Sequence, residues 1–186
     1  MISLTPDTPI GTALNQIASG RRALFARFHL GGCASCGFSP LETIAALCAR
    51  NGEIDPADMI DCLLHAQQAD DACLISPAAA QVALSQAHAP RLIDCRTREE
   101  HDAVSLPGSE FLDETLQQQL FACEPAPAVI LYDHLGQNAL DTCAWFIGHG
   151  LKDTKVLRGG IDAWSREIDP SLPRYQIELP TIISHG

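Results

Sequence analysis

The sequence lacks any long apolar run. No stretch reaches the about 18 consecutive apolar residues that a membrane-spanning helix requires. The N-terminal stretch MISLTPDTPIG also lacks the basic and apolar regions of a secretory signal peptide. We therefore expect a cytoplasmic protein that has no membrane partner.

Basic residues are scarce as well. The chain has 12 Lys and Arg residues against 23 Asp and Glu residues, which gives a net charge of -11 at pH 7. It therefore offers no basic stripe to neutralise the phosphates of DNA or RNA. Nucleic acid is excluded as an expected partner.

Hydrophobic residues make up 46% of the chain, which is enough to bury a core, and eight of its residues are cysteines. In a reducing cytosol, cysteines serve as free thiols, metal ligands or transient redox pairs rather than as a disulfide framework. Each cysteine must therefore be judged by its local setting.

The first 70 residues carry helical patterns, and only the stretch from Ile2 to Leu4 could form a strand. A capping residue followed by proline is typical of a helix start. The predicted starts are Thr8-Pro9, Ser39-Pro40, Asp55-Pro56 and Ser76-Pro77, and the helices of this half are expected over 9–17, 20–28, 40–50 and 56–66. The polar segment QQADDA at 67–72 then suggests a boundary near residue 70, so we predict a small all-helical domain over 1–70.

Short apolar runs alternate with helical stretches after that boundary, which predicts an α/β domain over 71–175 with a mostly parallel sheet flanked by helices. The predicted strands are 73–75, 91–95, 109–112, 128–132 and 155–157. Ligands of such sheets bind beyond the carboxyl ends of the strands, which points to the loops 95–98 and 133–138. Residues 176–186 are expected to be a C-terminal tail.

Three segments of this second half, in this order, resemble the rhodanese family: LIDCRTREEHDAVSLPGS, VILYDHLGQNAL and VLRGGIDAW. The residues that carry the resemblance are Asp94, Arg96, Glu99, Pro107, Gly108, Gly159, Gly160 and Trp164. The resemblance implies an α/β sulfurtransferase fold, in which a nucleophilic cysteine follows the central strand and opens a loop whose backbone N-H groups cradle a persulfide.

Asp133 stands where that resemblance places the nucleophilic cysteine. Sulfur transfer needs a thiolate there, and a carboxylate cannot accept sulfane sulfur. His134 and Asn138 stand where active relatives often have arginines, so cations that would attract thiosulfate are missing. The degenerate loop comprises Asp133, His134, Leu135, Gly136, Gln137 and Asn138. We therefore expect the domain to lack ordinary thiosulfate sulfurtransferase activity.

Cys95 is the secondary candidate thiol, because it ends a strand that should neighbour the strand ending at Tyr132. The alternative interpretation is a small core residue. Both interpretations stay open at this point.

The motif with the clearest thiol signal is GGCASCG, in which Cys33 and Cys36 are separated by two residues. This spacing allows a disulfide within one turn or two ligands to one metal ion. A helix beginning at Ser39-Pro40, with Glu42 completing a capping box, would lower the pKa of at least one of these thiols through its free N-H groups.

The surroundings of this motif are similar to a small helical redox-disulfide family associated with hybrid-cluster proteins, with Gly32, Cys33 and Cys36 in register. The resemblance implies a dithiol, disulfide or metal-linked role. No cofactor is certain, and an iron-sulfur cluster or zinc held through Cys33 and Cys36 stays open. Cys48 and Cys62 could complete four thiolate ligands within the chain, although their spacing also fits the apolar faces of helices.

The leading hypothesis is a two-domain protein of sulfur or redox metabolism. The redox-active pair Cys33 and Cys36 would perform thiol-disulfide exchange, and the inactive rhodanese-like domain would serve docking or regulation. Its partner would be a protein of the same metabolism, and a homodimer stays open. One alternative is a non-enzymatic module that binds a metal or an iron-sulfur cluster. Another is a sulfurtransferase that uses a non-standard cysteine, Cys95 or Cys36.

Overall fold

The computed structural model describes residues 2–31, 37–52 and 54–175. In these ranges the chain forms the following helices and strands: α1 Ile10–Gln16, α2 Gly20–Phe28, α3 Ile44–Arg50, α4 Pro56–Cys73, β1 Leu74–Ile75, α5 Pro77–Leu84, β2 Arg91–Asp94, α6 Arg98–Ala103, β3 Glu110–Phe111, α7 Glu114–Ala122, β4 Val129–Tyr132, α8 Ala139–Gly148, β5 Thr154–Leu157 and α9 Gly160–Glu167.

The strands form one sheet in the order β1-β5-β4-β2-β3, and each neighbouring pair is parallel. Strand β4 is central and its four residues are buried, as expected for the apolar run VILY. Because side chains alternate along a strand, Val129 and Leu131 pack with α7 and α8 on one face, while Ile130 and Tyr132 pack with α5 and α9 on the other. The predicted α/β fold class is confirmed.

A separate apolar cluster lies among the N-terminal helices. Its buried members are Ile10, Ala13, Ile17, Leu24, Leu30, Ile44, Leu47, Cys48, Met59 and Leu63. Near one end of this cluster, the buried Asp70 carboxylate accepts hydrogen bonds from the Ser19 amide at 3.0 Å and the Ser19 hydroxyl at 2.8 Å. The helical character predicted for this half is therefore confirmed, and a buried polar anchor joins α4 to the start of α2.

The proline-based helix starts are confirmed at two places. The Asp55 side chain accepts from the Ala57 amide, and the Ser76 side chain accepts from the Ala79 amide. At Thr8-Pro9 the helix begins one residue later than predicted, at Ile10.

The helix predicted to start at Ser39-Pro40 does not begin there. Residues 40–42 form a turn, and α3 begins at Ile44 because the Thr43 side chain caps it by accepting from the Ala46 amide. Glu42 does not close a capping box; it pairs with Arg50 at 2.9 Å instead. A helix N-terminus at Ser39-Pro40 was expected to lower the pKa of a thiol in the GGCASCG motif. Because α3 begins later, at Ile44, the reason to expect a lowered thiol pKa no longer holds.

The helix predicted over 56–66 extends through the segment 67–72, because α4 continues without interruption to Cys73 and β1 follows directly. The domain division near residue 70 itself stays a prediction. Ile2 to Leu4 form no strand; the one bridge in this region joins Pro9 to Thr43. Among the helices of the described ranges, none is long and apolar enough to cross a membrane.

Candidate functional site

The loop 133–138 lies where the sequence placed it, between the end of β4 and the start of α8. Strand β4 carries it to the carboxyl edge of the sheet, next to the end of β2, with Asp94 opposite Tyr132. This edge is the usual position of ligand sites in parallel sheets.

The Asp133 carboxylate is buried and accepts backbone hydrogen bonds from within its own loop. Oδ1 accepts from the Gly136 amide, and Oδ2 accepts from the Ala139 amide at 2.9 Å. Ala139 is the first residue of α8, and the preceding Asn138 makes no side-chain capping bond. Asp133 therefore supplies the anion that a helix N-terminus favours. Two N-H groups that could hold an external anion already have an internal acceptor.

The turn between β5 and α9 holds this loop in place. The Ile161 amide donates to the Asp133 carbonyl at 2.9 Å, and the Asp162 amide donates to the His134 carbonyl at 3.2 Å. Gly160 has a φ of +57°, and a Cβ there would collide with the carbonyl oxygens of Asp133 and His134. The approach of the two loops therefore requires glycine at this position.

His134 lies at the covered side of the loop. Its ring centroid is 4.6 Å from that of Tyr175, and its Nδ1 atom is buried without a hydrogen-bond partner among the described residues. The loop itself contributes no arginine or lysine side chain. Residues 133–138 therefore supply no strong cation to an anionic substrate, although Arg158 of the neighbouring turn lines the cavity beside them.

The opposite side of the loop faces the helical half of the chain. A cavity of about 400 Å³ is lined by the loop and by the carboxyl-terminal parts of α1 and α4. Leu135 is 51% exposed, and Gln137 and Asn138 are also exposed. An ion pair between Arg22 and Asp141 bridges the two halves next to this cavity. No local sequence pattern predicts this placement, because the pairing joins residues far apart in the chain.

Cys95 follows β2, and its amide donates to the Tyr132 carbonyl at 2.8 Å. Its side chain packs against the apolar cluster under α8. Burial raises the pKa of the Cys95 thiol, and the negative charges of Asp133 and Asp94 raise it further. A thiol in this setting is a poor source of thiolate, which is the nucleophilic form.

Asp94 and Arg96 form a buried ion pair behind the loop. The guanidinium donates to both carboxylate oxygens, at 2.9 and 2.6 Å, and the Tyr132 hydroxyl donates to Oδ2 at 2.8 Å. Burial opposes ionisation of Asp94, but the hydrogen bonds from Arg96, His101 and Tyr132 prevail and hold its pKa below the usual range.

Arg96 also donates to the Tyr175 hydroxyl at 2.7 Å, and that hydroxyl donates to Glu100 at 2.8 Å. The network therefore fixes the turn after β2 and the chain near residue 175. Sequence reasoning identified Asp94 and Arg96 but missed the roles of Tyr132, His101 and Tyr175, since no local pattern marks them.

Cys33 and Cys36 lie outside the described residues, so their predicted role is neither supported nor opposed by the structure.

The proposed additional thiolate ligands have other partners. The Cys48 thiol contacts the Met59 sulfur at 3.7 Å, and the Cys62 thiol contacts the Ala23 carbonyl at 3.8 Å. Burial raises the pKa of both thiols. Within residues 2–31, 37–52 and 54–175, no group of three or more His, Cys, Asp or Glu side chains could hold a metal ion.

Comparison with protein families identifies the class of the second half. The rhodanese-like domain family matches residues 77–167. This part of the chain is a rhodanese-like domain. Comparison with curated proteins gives no match.

Solved structures resemble the chain over half of its length or more, at low identity. A rhodanese-like domain protein from Staphylococcus aureus is 18% identical, with a TM-score of 0.45, and the match covers 55% of this chain and 98% of that one. A human single-domain sulfurtransferase is 18% identical, with a TM-score of 0.44, over 51% of this chain and 96% of that one. A Bacillus anthracis protein titled CoADR-RHD is 13% identical, with a TM-score of 0.46, over 88% of this chain and 27% of that one.

Proposed function

We propose that the chain is a protein of sulfur or redox metabolism in which the rhodanese-like domain does not turn over sulfur. The domain serves docking or regulation, and Cys33 and Cys36 carry the thiol chemistry. The observation that carries this proposal is the Asp133 carboxylate, which accepts the amide hydrogens of Gly136 and Ala139.

The chemical argument has two steps. Sulfur transfer requires a thiolate at the position of Asp133, and the carboxylate oxygens form no stable bond with sulfane sulfur. In addition, the carboxylate is negative and lies against the N-H groups that would otherwise stabilise a persulfide or thiosulfate anion. The loop therefore lacks the nucleophile and repels the substrate.

Cys95 does not replace the missing nucleophile in this proposal. Its thiol is packed against the core, and the charge of Asp133 opposes its ionisation. The exposed side chains of Leu135, Gln137 and Asn138 instead offer a contact surface for a protein partner of the same metabolism.

A thiosulfate:cyanide sulfurtransferase assay tests the inactive loop. We expect no turnover from the native chain, and gain of a sulfane-sulfur mass at position 133 in the Asp133→Cys variant. Asp133→Ser is the matched control, because it removes the carboxylate without supplying a thiol. Turnover by the native chain that survives in Asp133→Ser would show that another cysteine performs the reaction.

Alkylation of the reduced chain across pH tests the proposed thiol pair. We expect one of Cys33 and Cys36 to react faster than the exposed Cys123 at neutral pH, because thiol exchange requires an accessible thiolate. Equal, slow labelling of Cys33 and Cys36, compared with a free peptide of the same sequence, would remove the basis for thiol-disulfide exchange.

A further inference from the structure

A second pair of cysteines, Cys73 and Cys143, lies at the junction between the two halves of the chain. Cys73 is the last residue of α4, and Cys143 lies in the second turn of α8, the helix that follows the Asp133 loop. Both side chains belong to the same apolar cluster: Cys143 is fully buried in it, and the partly buried Cys73 packs against it. They are 70 positions apart, so no local motif marks them.

Both cysteines approach the same part of β5. Leu74 lies opposite Val156 in the parallel pair of β1 and β5, and Cys73 is the residue directly before it, at the end of α4. The Lys155 ammonium donates to the Ala72 carbonyl at 2.9 Å, which ties the end of α4 to β5. The Cys143 thiol meets β5 at the adjacent residue, because it contacts the Thr154 carbonyl at 3.5 Å.

The environments of the two thiols differ in access. Cys73 is partly exposed, whereas Cys143 is inaccessible. Burial, together with the charge and hydrogen bonding of the Cys73 thiol, raises the pKa of Cys143 to about 12, although Lys155 and Arg22 oppose the rise. The influence of the Cys73 thiol on the pKa of Cys143 agrees with their packing in the same apolar cluster.

We propose that Cys73 and Cys143 are a redox modification site, at which a reversible disulfide links the end of α4 to α8. The oxidant is a low-molecular-weight or protein disulfide. The Cys73 thiolate attacks one sulfur of the oxidant, forms a mixed disulfide and releases one thiol. Cys143 then loses its proton and attacks the Cys73 sulfur within the same apolar cluster, which forms the internal disulfide and releases the second thiol, so two protein thiols are oxidised as one disulfide is reduced. The raised pKa of Cys143 makes this second step slow.

The bond would act on the cavity that faces the Asp133 loop. Asp70, Asp71 and Leu74 line that cavity from one side, and Leu140 and Asp141 line it from the other. Cys73 and Cys143 are close neighbours of these residues in the chain. A disulfide between them therefore holds the two walls together, and thiol exchange releases them.

The test incubates the reduced full-length chain in buffers of increasing ratio of oxidised to reduced glutathione. The chain is then unfolded in acidic denaturant to stop thiol exchange, all free thiols are blocked with N-ethylmaleimide in the denaturant, and the protein is digested and examined by mass spectrometry. We expect a cross-linked pair of peptides that contain Cys73 and Cys143, which reduction separates. We also expect the urea midpoint to rise in the oxidised protein, because the bond closes a loop of about 70 residues in the unfolded chain.

Three variants sharpen the result. The cross-link is expected to persist in Cys123→Ser, which removes an exposed cysteine, and to disappear in Cys73→Ser. A chain with Cys33→Ser and Cys36→Ser should also form it, which separates this proposal from the thiol chemistry proposed for that motif. At the most oxidising ratio, a native chain whose Cys143 is still fully labelled, or whose Cys73 carries only glutathione, would overturn the proposal.

Discussion

Replacement of Asp133 by alanine tests whether its carboxylate is a structural part of the loop. The substitution leaves the buried amides of Gly136 and Ala139 without their acceptor. Each buried donor that loses its partner costs about 1–3 kcal/mol, and loss of a helix-capping side chain costs about 1 kcal/mol. Water can enter the space and accept some of the hydrogen bonds that the carboxylate accepted. We therefore expect the free energy of unfolding to fall by about 2–4 kcal/mol.

Urea unfolding followed by tryptophan fluorescence measures this change in the correct part of the chain. The two tryptophans, Trp145 and Trp164, lie in α8 and α9. Asp133→Asn should lower the free energy of unfolding less than Asp133→Ala does. The asparagine amide oxygen still accepts one of the two hydrogen bonds, while its NH₂ group faces the other donor. The control is Asp153→Ala, at an exposed position, which should change stability by less than about 0.5 kcal/mol. If Asp133→Ala lowers the free energy of unfolding no more than Asp153→Ala does, the Asp133 carboxylate does not stabilise the loop.

Three further substitutions or measurements test the surroundings of the loop. Asp94→Asn should cost about 3–5 kcal/mol in unfolding free energy, because Arg96 is left buried without its counter-charge. Because the pKa of Asp94 is lowered in the folded chain, its charged form stabilises the fold at pH values above the ordinary carboxyl pKa. This stabilisation is lost as the pH falls through the pKa of the folded state. The stability of the Asp94→Asn variant should therefore depend less on pH in acid. Iodoacetamide should label Cys95 far more slowly than the exposed Cys123, because the Cys95 thiol is partly buried and its pKa is raised; equal rates would contradict this reasoning. Gly160→Ala should destabilise by at least about 2 kcal/mol through its positive φ and the collision with Asp133, whereas Gly148→Ala, which has open space around it, should not; circular dichroism during thermal unfolding compares the two.

The sequence was sufficient to predict the sheet and the position of the loop because both depend on local patterns. A run such as VILY is buried on both faces, and the loop that follows it must lie at the carboxyl edge. The identity of residue 133 then predicted a site without a nucleophile. Nothing local predicted that the Asp133 carboxylate would turn back onto Gly136 and Ala139, because this depends on the path of the loop.

Errors occurred where a local pattern had two physical explanations. The segment QQADDA is polar, so the helix was predicted to end at residue 66, but glutamine and alanine favour helices and α4 continues to Cys73. Asp70 is buried there by its bonds to Ser19, 51 positions away. At Ser39-Pro40 a good helix-start signal was overruled by a second capping residue, Thr43, which begins α3 instead. Contacts between distant residues, such as those of Tyr175 with Arg96, carry no local signal at all.

The contact between the two halves raises the question of which interactions hold the cavity beside the loop. The Arg22–Asp141 pair is the most visible bridge, but its side chains are 44% and 68% exposed. An exposed ion pair contributes about 0–1 kcal/mol, since water solvates both charges and salt screens them. Arg22→Ala should therefore lower the unfolding free energy by less than about 1 kcal/mol, similar to Arg27→Ala, whose weak pairing with Asp58 lies within the helical half.

A larger effect is expected where α4 enters the sheet. Leu74 packs against the apolar cluster under α8, and its strand pairs with β5. Leu74→Ala removes buried apolar surface there and should cost about 2 kcal/mol or more, although the partial exposure of Leu74 keeps the loss near the lower end of the usual range. If Arg22→Ala proves more destabilising than Leu74→Ala in the same urea assay, the halves are held by charge, and the cavity would open at high salt rather than through the apolar junction.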